Sequence, residues 1–228
     1  MSQVRILSSP PIQNPVLTPG FVLVEALLYS WAMTSPTADE LIRLSTLAAF
    51  VGRDIYWRVA EFRADQAKPR LQQRGPAAHI KRYVLLLFVL FLYWQLLGLQ
   101  ILPFQTNLGI QLFGLALVLI GLFVSVSARR ALGTNWAHGA DYQIKQQHAL
   151  ITTGIYKYIR HPIYIGIFVS AIGAEIVAGS LLFIPLLISA PYPAIKQARR
   201  EEEILTKQFG NTYTAYMKTS KKFIPFIW

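Results

Sequence analysis

The sequence predicts an all-α integral membrane protein. It would have about four to six transmembrane or membrane-embedded helices and a charged amphipathic helix on the cytosolic side near its C-terminus. Three observations lead there. Hydrophobic residues make up 54% of the chain and charged residues only 14%, against about 25% charged in a typical soluble domain. Two predominantly apolar runs without a charged residue, 83–102 and 108–128, are each long enough to cross a bilayer. Lys and Arg crowd into segments that alternate with apolar runs, with eight in 53–82, five in 129–160 and seven in 196–222. By the positive-inside rule those three basic segments share the cytosolic face.

Residues 1–15, rich in Pro and Ser, read as an irregular tail without the basic flank and short apolar core of a signal peptide. Residues 16–34 are a weak span interrupted by Glu25. "SPTADE" then starts a helix, with Thr37 or Asp39 as cap. The following segment, 41–62, is either a second span or a helix lying at the interface. A basic connector, 63–82, leads into the span 83–102, about 30 Å long at 1.5 Å per residue. "PFQTN" turns the chain into the span 108–128, where Gly109, Gly114 and Gly121 allow close helix packing.

A polar connector, 129–162, precedes two shorter apolar helices, 163–178 and 181–195. Pro185, Pro191 and Pro193 bend or end the second of them. Residues 196–220 form the amphipathic helix, broken near Gly210, and "FIPFIW" rests at the interface. The domain division is therefore a tail over 1–15, N-terminal helices and connector over 16–82, and a core over 83–228 with its site within 141–216.

The chain has no cysteine, which excludes disulfides, thiolate metal sites and cysteine nucleophiles. A net charge of +11 fits loops facing an anionic leaflet better than nucleic-acid binding in so apolar a chain. The four histidines lack metal-site spacing, and no phosphate-binding glycine loop is present.

The polar residues that stand out lie in "GIYKYIRHPIYIG", residues 154–166. Pro162 presets a helix start and holds His161 outside the α region. The open N–H groups of that first turn, with Arg160 and His161 beside them, attract a carboxylate or phosphate. Lipid headgroup contact is the plainer reading of the same residues. Glu201, Glu202 and Glu203 follow Arg199 and Arg200, and the expectation for such a run is a self-paired, solvated helix face. Tyr213 and Tyr216 read as interfacial aromatics, and Glu175, near a helix end, as reaching water.

Taken together, "HALITTGIYKYIRHPIYIG", "EEEILTKQFGNTYTAY" and "FIP" resemble the isoprenylcysteine carboxyl methyltransferase family, itself similar to the phospholipid N-methyltransferases. The resemblance covers roughly residues 108–228. It implies S-adenosylmethionine as cofactor and a lipophilic or lipidated acceptor taken from the bilayer, with no nucleic-acid partner. It implies cofactor contacts from Gln143, from His148, Ala149, Leu150 and Ile151, from Tyr156, from His161, Pro162, Ile163 and Tyr164, and from Glu201. Methyl transfer to a carboxylate needs mainly positioning, so no bond-making role is assigned; Glu201 and Arg160 are the candidates for any further part. The family's substrate-recognising arginine falls at Gln197, with Lys196, Arg199 and Arg200 nearby but aimed along other directions; Gln197 and Arg200 are the acceptor-side candidates. That departure keeps amine N-methylation open beside carboxyl O-methylation. A non-catalytic membrane scaffold or transporter is the alternative of another class.

Overall fold

The computed structural model describes residues 36–67, 76–136 and 149–225. The chain divides into two compact units, Met1–Thr37 and Ala38–Trp228, and the helices below belong to the second. They are α1 (Ala38–Ala67), α2 (Pro76–Leu96), α3 (Leu108–Leu132), α4 (Pro162–Ala178), α5 (Phe183–Ser189), α6 (Pro191–Phe209) and α7 (Asn211–Thr219). Single 3₁₀ turns lie at Gly133–Asn135 and Gly154–Lys157. No strand occurs among the described residues, so the all-α expectation holds for them. The expected tail over 1–15 and the weak span over 16–34 lie outside the described residues.

The pair α3–α4 is the centre of the bundle. A Cβ on Gly121 would sit 2.5 Å from the Gly166 carbonyl oxygen, and one on Gly166 would sit 2.6 Å from the Gly121 oxygen. Two turns away, Gly114 and Gly173 approach in the same reciprocal way, at 2.9 and 2.5 Å. These pairings run in opposite directions along the two helices, so α3 and α4 are antiparallel. Backbones this close admit no side chain, which is the use of small residues in apolar helix pairs. Gly109 is not in this seam; its nearest neighbour is the Asn107 cap.

Helices α1 and α2 close over the pair through Ile42, Phe50, Leu96, Val118, Leu122 and Ala174. Helix α1 runs unbroken through the mixed stretch after Asp39, beyond the expected 41–62. Helix α2 corrects the expected span of 83–102. It starts at Pro76, inside the expected basic connector, and stops at Leu96. Gly98 (φ 99°) and Leu102 (φ 51°) turn the chain there, Gln100 Nε2 donates to Ala178 O at 2.7 Å, and Leu181 N donates to Leu102 O at 2.9 Å.

Among the described residues one helix, Leu108–Asn135, is long and apolar enough to cross a membrane. Leu86–Leu96 and Pro162–Ala178 are shorter apolar helices. Glu175 is corrected too: it is 2% exposed and accepts from Gln95 Nε2 at 2.8 Å, so it does not reach water. The expected arm 181–195 divides at Ala190. Pro191 takes the first position of α6, where its missing N–H costs nothing, so the charged helix starts earlier than residue 196. It breaks at Gly210, as expected.

Gly166→Ala is expected to lower stability by about 2 kcal/mol, because the added methyl meets backbone that cannot yield. Gly52→Ala, on α1 with open space around its Cβ, should raise it by up to about 1 kcal/mol through helix propensity. Thermal unfolding in detergent separates the two; equal and small shifts would contradict the seam.

Candidate functional site

The site is built where α4 begins. Pro162 is the first residue of α4 and His161 its N-cap, at φ −124° and ψ 53°. The C-terminal strap, residues 220–223, runs alongside the chain that enters this helix. Arg160 N donates to Lys221 O at 2.8 Å, His161 N to Lys222 O at 3.1 Å, and Lys221 N to Tyr158 O at 3.0 Å. Tyr216 donates its hydroxyl to Tyr156 O at 2.6 Å, which ties α7 to the 3₁₀ turn. Tyr213 and Tyr216 are both buried, so the expectation of interfacial aromatics fails. Their rings pack edge to face and hold the turn instead.

Glu203 is exposed, but Glu201 and Glu202 are not part of a self-paired solvated face. Glu202 binds Arg160 Nε at 2.8 Å, His161 Nε2 at 3.3 Å and Lys222 Nζ at 2.6 Å. Arg160 also donates to the carbonyls of Met217 and Ser220. Glu201, buried, accepts from the Tyr164 hydroxyl and from Gln197 Nε2 at 3.2 Å, and faces His161 Nδ1 at 3.5 Å. Both ring nitrogens of His161 therefore meet carboxylate oxygens, an arrangement satisfied when both carry protons.

The electrostatics agree. Burial alone would lower the His161 pKa, but hydrogen bonds and charge from Glu201 and Glu202 outweigh it and raise it above 6.5. Burial would raise Glu202; its bonds to His161, Lys222 and Arg160 prevail and bring it down to about 2. Tyr216, desolvated, is pushed up to about 12.

A cavity of about 1170 Å³ extends from this cluster. Of the expected cofactor residues, Ala149, Leu150, Ile151, Tyr156, His161, Ile163, Tyr164 and Glu201 line it. Pro162 is buried and serves the helix start. Gln143 and His148 lie outside the described residues. Ala149 N donates to Asn135 Oδ1 at 3.0 Å. Leu150 and Ile151, which follow it outside any helix, have no backbone–backbone hydrogen bond among the described residues. Of the acceptor-side candidates, Gln197 and Arg200 line the cavity, and so does Lys196; Arg199 lies on an outer groove with Glu203. Lys196 and Arg200 thus share the cavity with Gln197, contrary to the expectation that they aim elsewhere.

Sequence reasoning missed Glu202 as the hub, Lys222 as its partner and the contribution of α1. Gln197 and Glu201 at i, i+4 were legible as one helix face. The partners of Glu202 are 41, 42 and 20 residues away in sequence and carried no local signal.

Residues 110–212 match the phospholipid methyltransferase family model. The chain is 30% identical over 118 residues to the protein-S-isoprenylcysteine O-methyltransferase of Schizosaccharomyces pombe, covering 51% of this chain and 50% of that protein. It is 32% identical over 115 residues to the Tribolium castaneum protein of the same name, covering 50% and 41%, and 30% identical to the human one, covering 50% and 40%. The matched segment spans half or less of those relatives. In fold, the chain is similar to the solved eukaryotic intramembrane Ras methyltransferase, an isoprenylcysteine carboxyl methyltransferase, with TM-score 0.55 and 22% identity over 90% of this chain and 73% of that one. Over residues 110–212 the chain is therefore similar to the phospholipid methyltransferases, and over about half of its length to named protein-S-isoprenylcysteine O-methyltransferases.

Proposed function

We propose that the chain is an integral membrane methyltransferase that uses S-adenosylmethionine to methylate a lipophilic acceptor, in the manner of a protein-S-isoprenylcysteine carboxyl O-methyltransferase. The observation that carries the reading is convergence. The three motif segments meet around one cavity lined by the polar His161, Tyr164 and Glu201 and by the apolar Leu86, Val89 and Leu92 from α2 and Ile163, Ile167 and Phe168 from α4. The positive-inside rule, applied to the basic segments, supports reading this end of the bundle as the cytosolic one.

The donor set suits the cofactor. A buried carboxylate at Glu201 suits an amine or ribose hydroxyl, the strip Leu150–Ile151 suits hydrogen-bonding edges, and Tyr156 and Tyr164 suit a ring face or a sulfonium. Gln143 and His148 complete the proposed set from the family pattern. When bound, the cofactor supplies an electrophilic methyl group on sulfur. The protein's part is to orient, to exclude water and to hold the acceptor in line. Arg160 acts here through Glu202 and the strap, as a positioning residue. The second reading, N-methylation of a lipid amine, rests on Gln197, which brings no positive charge where a carboxylate would be held.

Calorimetry on the purified protein in detergent should show S-adenosylmethionine binding, weakened by roughly tenfold or more in Glu201→Ala and His161→Ala, as befits loss of a charged hydrogen-bonding partner. No binding by the unmodified protein would remove the reading. Labelled methyl groups transferred to lipid or prenylcysteine substrates should be released by base if they are esters; base-stable label would instead favour the amine reading.

The charge cluster sets the pH range in which the site holds together. His161, raised, stabilises fully below 6.5 and loses its contribution as pH rises through its folded value. Glu202, lowered, stabilises fully above 4.5 and loses its contribution as pH falls through about 2. Between 4.5 and 6.5 both contribute. Glu202→Gln should cost about 3 kcal/mol, remove the acid-side loss and shrink the alkaline one. Superimposable melting-temperature profiles against pH for the variant and the unmodified protein would contradict this.

A further inference from the structure

The cavity has a second polar pole, on α1. Phe50, Arg53, Asp54, Trp57, Arg58 and Glu61 recur at helical spacing and all line it. The guanidinium of Arg130, at the end of α3 that leads into the site, lies 5.8 Å from the centre of the Tyr56 ring. This part of α1 is therefore at the same end of the bundle as His161. A helix serving only to cover an apolar bundle has no need of a charged stripe on its inner face.

Within the stripe, Arg53 is held on three sides. Its Nε and Nη2 donate to Asp54 Oδ1 at 2.9 and 2.5 Å. Asp54 Oδ2 accepts the Tyr93 hydroxyl at 2.6 Å, and the guanidinium lies 5.2 Å from the centre of the Phe50 ring. The Arg53 side chain is only 12% exposed. A guanidinium has five N–H donors, and among the described residues Nη1 has no hydrogen-bond partner. One edge is clamped and the other is open, the arrangement that receives a carboxylate or phosphate with two parallel hydrogen bonds.

The rest of the cavity favours the same sign. Five Lys/Arg line it against three Asp/Glu. Glu201 is already bonded by Tyr164 and Gln197, while Arg160 is taken by Glu202. On α6, Gln197 brings no charge to the cavity and is bonded to Glu201.

We propose that Arg53 receives the oxyanion of the lipophilic acceptor, a carboxylate or phosphodiester joined to a long hydrocarbon chain, with Asp54, Tyr93 and Phe50 as its positioning residues. This rests on reading the cavity as a methyl-transfer site. The amine reading survives it only for an amine carried on an anionic lipid.

The test is acceptor binding without turnover. Trp57 lines the cavity, so quenching of tryptophan fluorescence in the full chain in neutral detergent reports occupancy. The probes are N-acetyl-S-farnesylcysteine, its uncharged carboxamide, and a short-chain phosphatidylethanolamine. The unmodified protein should bind the carboxylate or the phospholipid roughly tenfold more tightly than the carboxamide. Arg53→Met should abolish that margin and leave S-adenosylmethionine affinity within about twofold. Whichever lipid loses affinity in the variant is the source of the oxyanion.

A margin that survives Arg53→Met, or no margin in the unmodified protein, overturns the proposal. If Arg53→Met does not fold, Arg53→Lys keeps the charge, loses the fork and should cut the margin by a factor of a few; an undiminished margin then overturns it. Arg53-dependent lipid binding without S-adenosylmethionine binding would sink the methyltransferase reading and leave this one standing, and the converse result would do the opposite.

Discussion

The structure depends first on the backbone contact between α3 and α4. At Gly121 and Gly166, and again at Gly114 and Gly173, each helix occupies the space a side chain of the other would need. In an apolar surround no hydrophobic force distinguishes protein from lipid, so association rests on close van der Waals packing and on what the helices exclude. That contact sets the axial register of α4 against α3. It therefore sets the height at which Pro162 opens its helix and His161 meets α6. The far end is tied off by backbone pairing between the turns around Leu102 and Ser180 and by the buried pair Gln95–Glu175.

At the near end, two cations, Arg160 and His161, stand beside a helix N-terminus, where the macrodipole disfavours positive charge. Glu202 and Glu201 offset both effects, and Lys222 is drawn into the same cluster. The result is a latch of three chain segments: the entry to α4, the middle of α6 and the C-terminal strap. Such a cluster is costly to leave half-paired. Its physical role is to fix one arrangement of the cavity wall, and the carboxylate that faces the cavity, Glu201, is oriented by Tyr164, Gln197 and His161 as a consequence.

The cavity that results is polar at two places and apolar between them. One pole is made by the segments shared with known membrane methyltransferases. The other is made by α1 and Tyr93 of α2, outside the matched residues 110–212. Methyl transfer requires two molecules held in line, and a two-poled cavity with a hydrocarbon-compatible flank is a geometry that accommodates both. Gln197, which also lines the cavity, serves Glu201 and contributes no charge.

The helix starts at Pro162 and near Asp39, the break at Gly210, the apolar run of α3 and two of its three glycines were legible in the sequence, because each follows from local backbone preference or side-chain size. So was the placing of Gln197 one helical turn before Glu201. The premature end of α2, the burial of Glu175, the inward turn of Tyr213 and Tyr216, and the assignment of Arg160 to Glu202 were not. Each depends on a partner tens of residues distant, and hydropathy and spacing carry no record of such pairings. By itself the sequence determined a helical, membrane-type chain with a polar stretch at the mouth of α4 and a resemblance to known membrane methyltransferases. Only the tertiary structure decided that this stretch is latched by Glu202 and that α1 supplies the opposite wall, because burial and charge compensation are settled by which helices pack together.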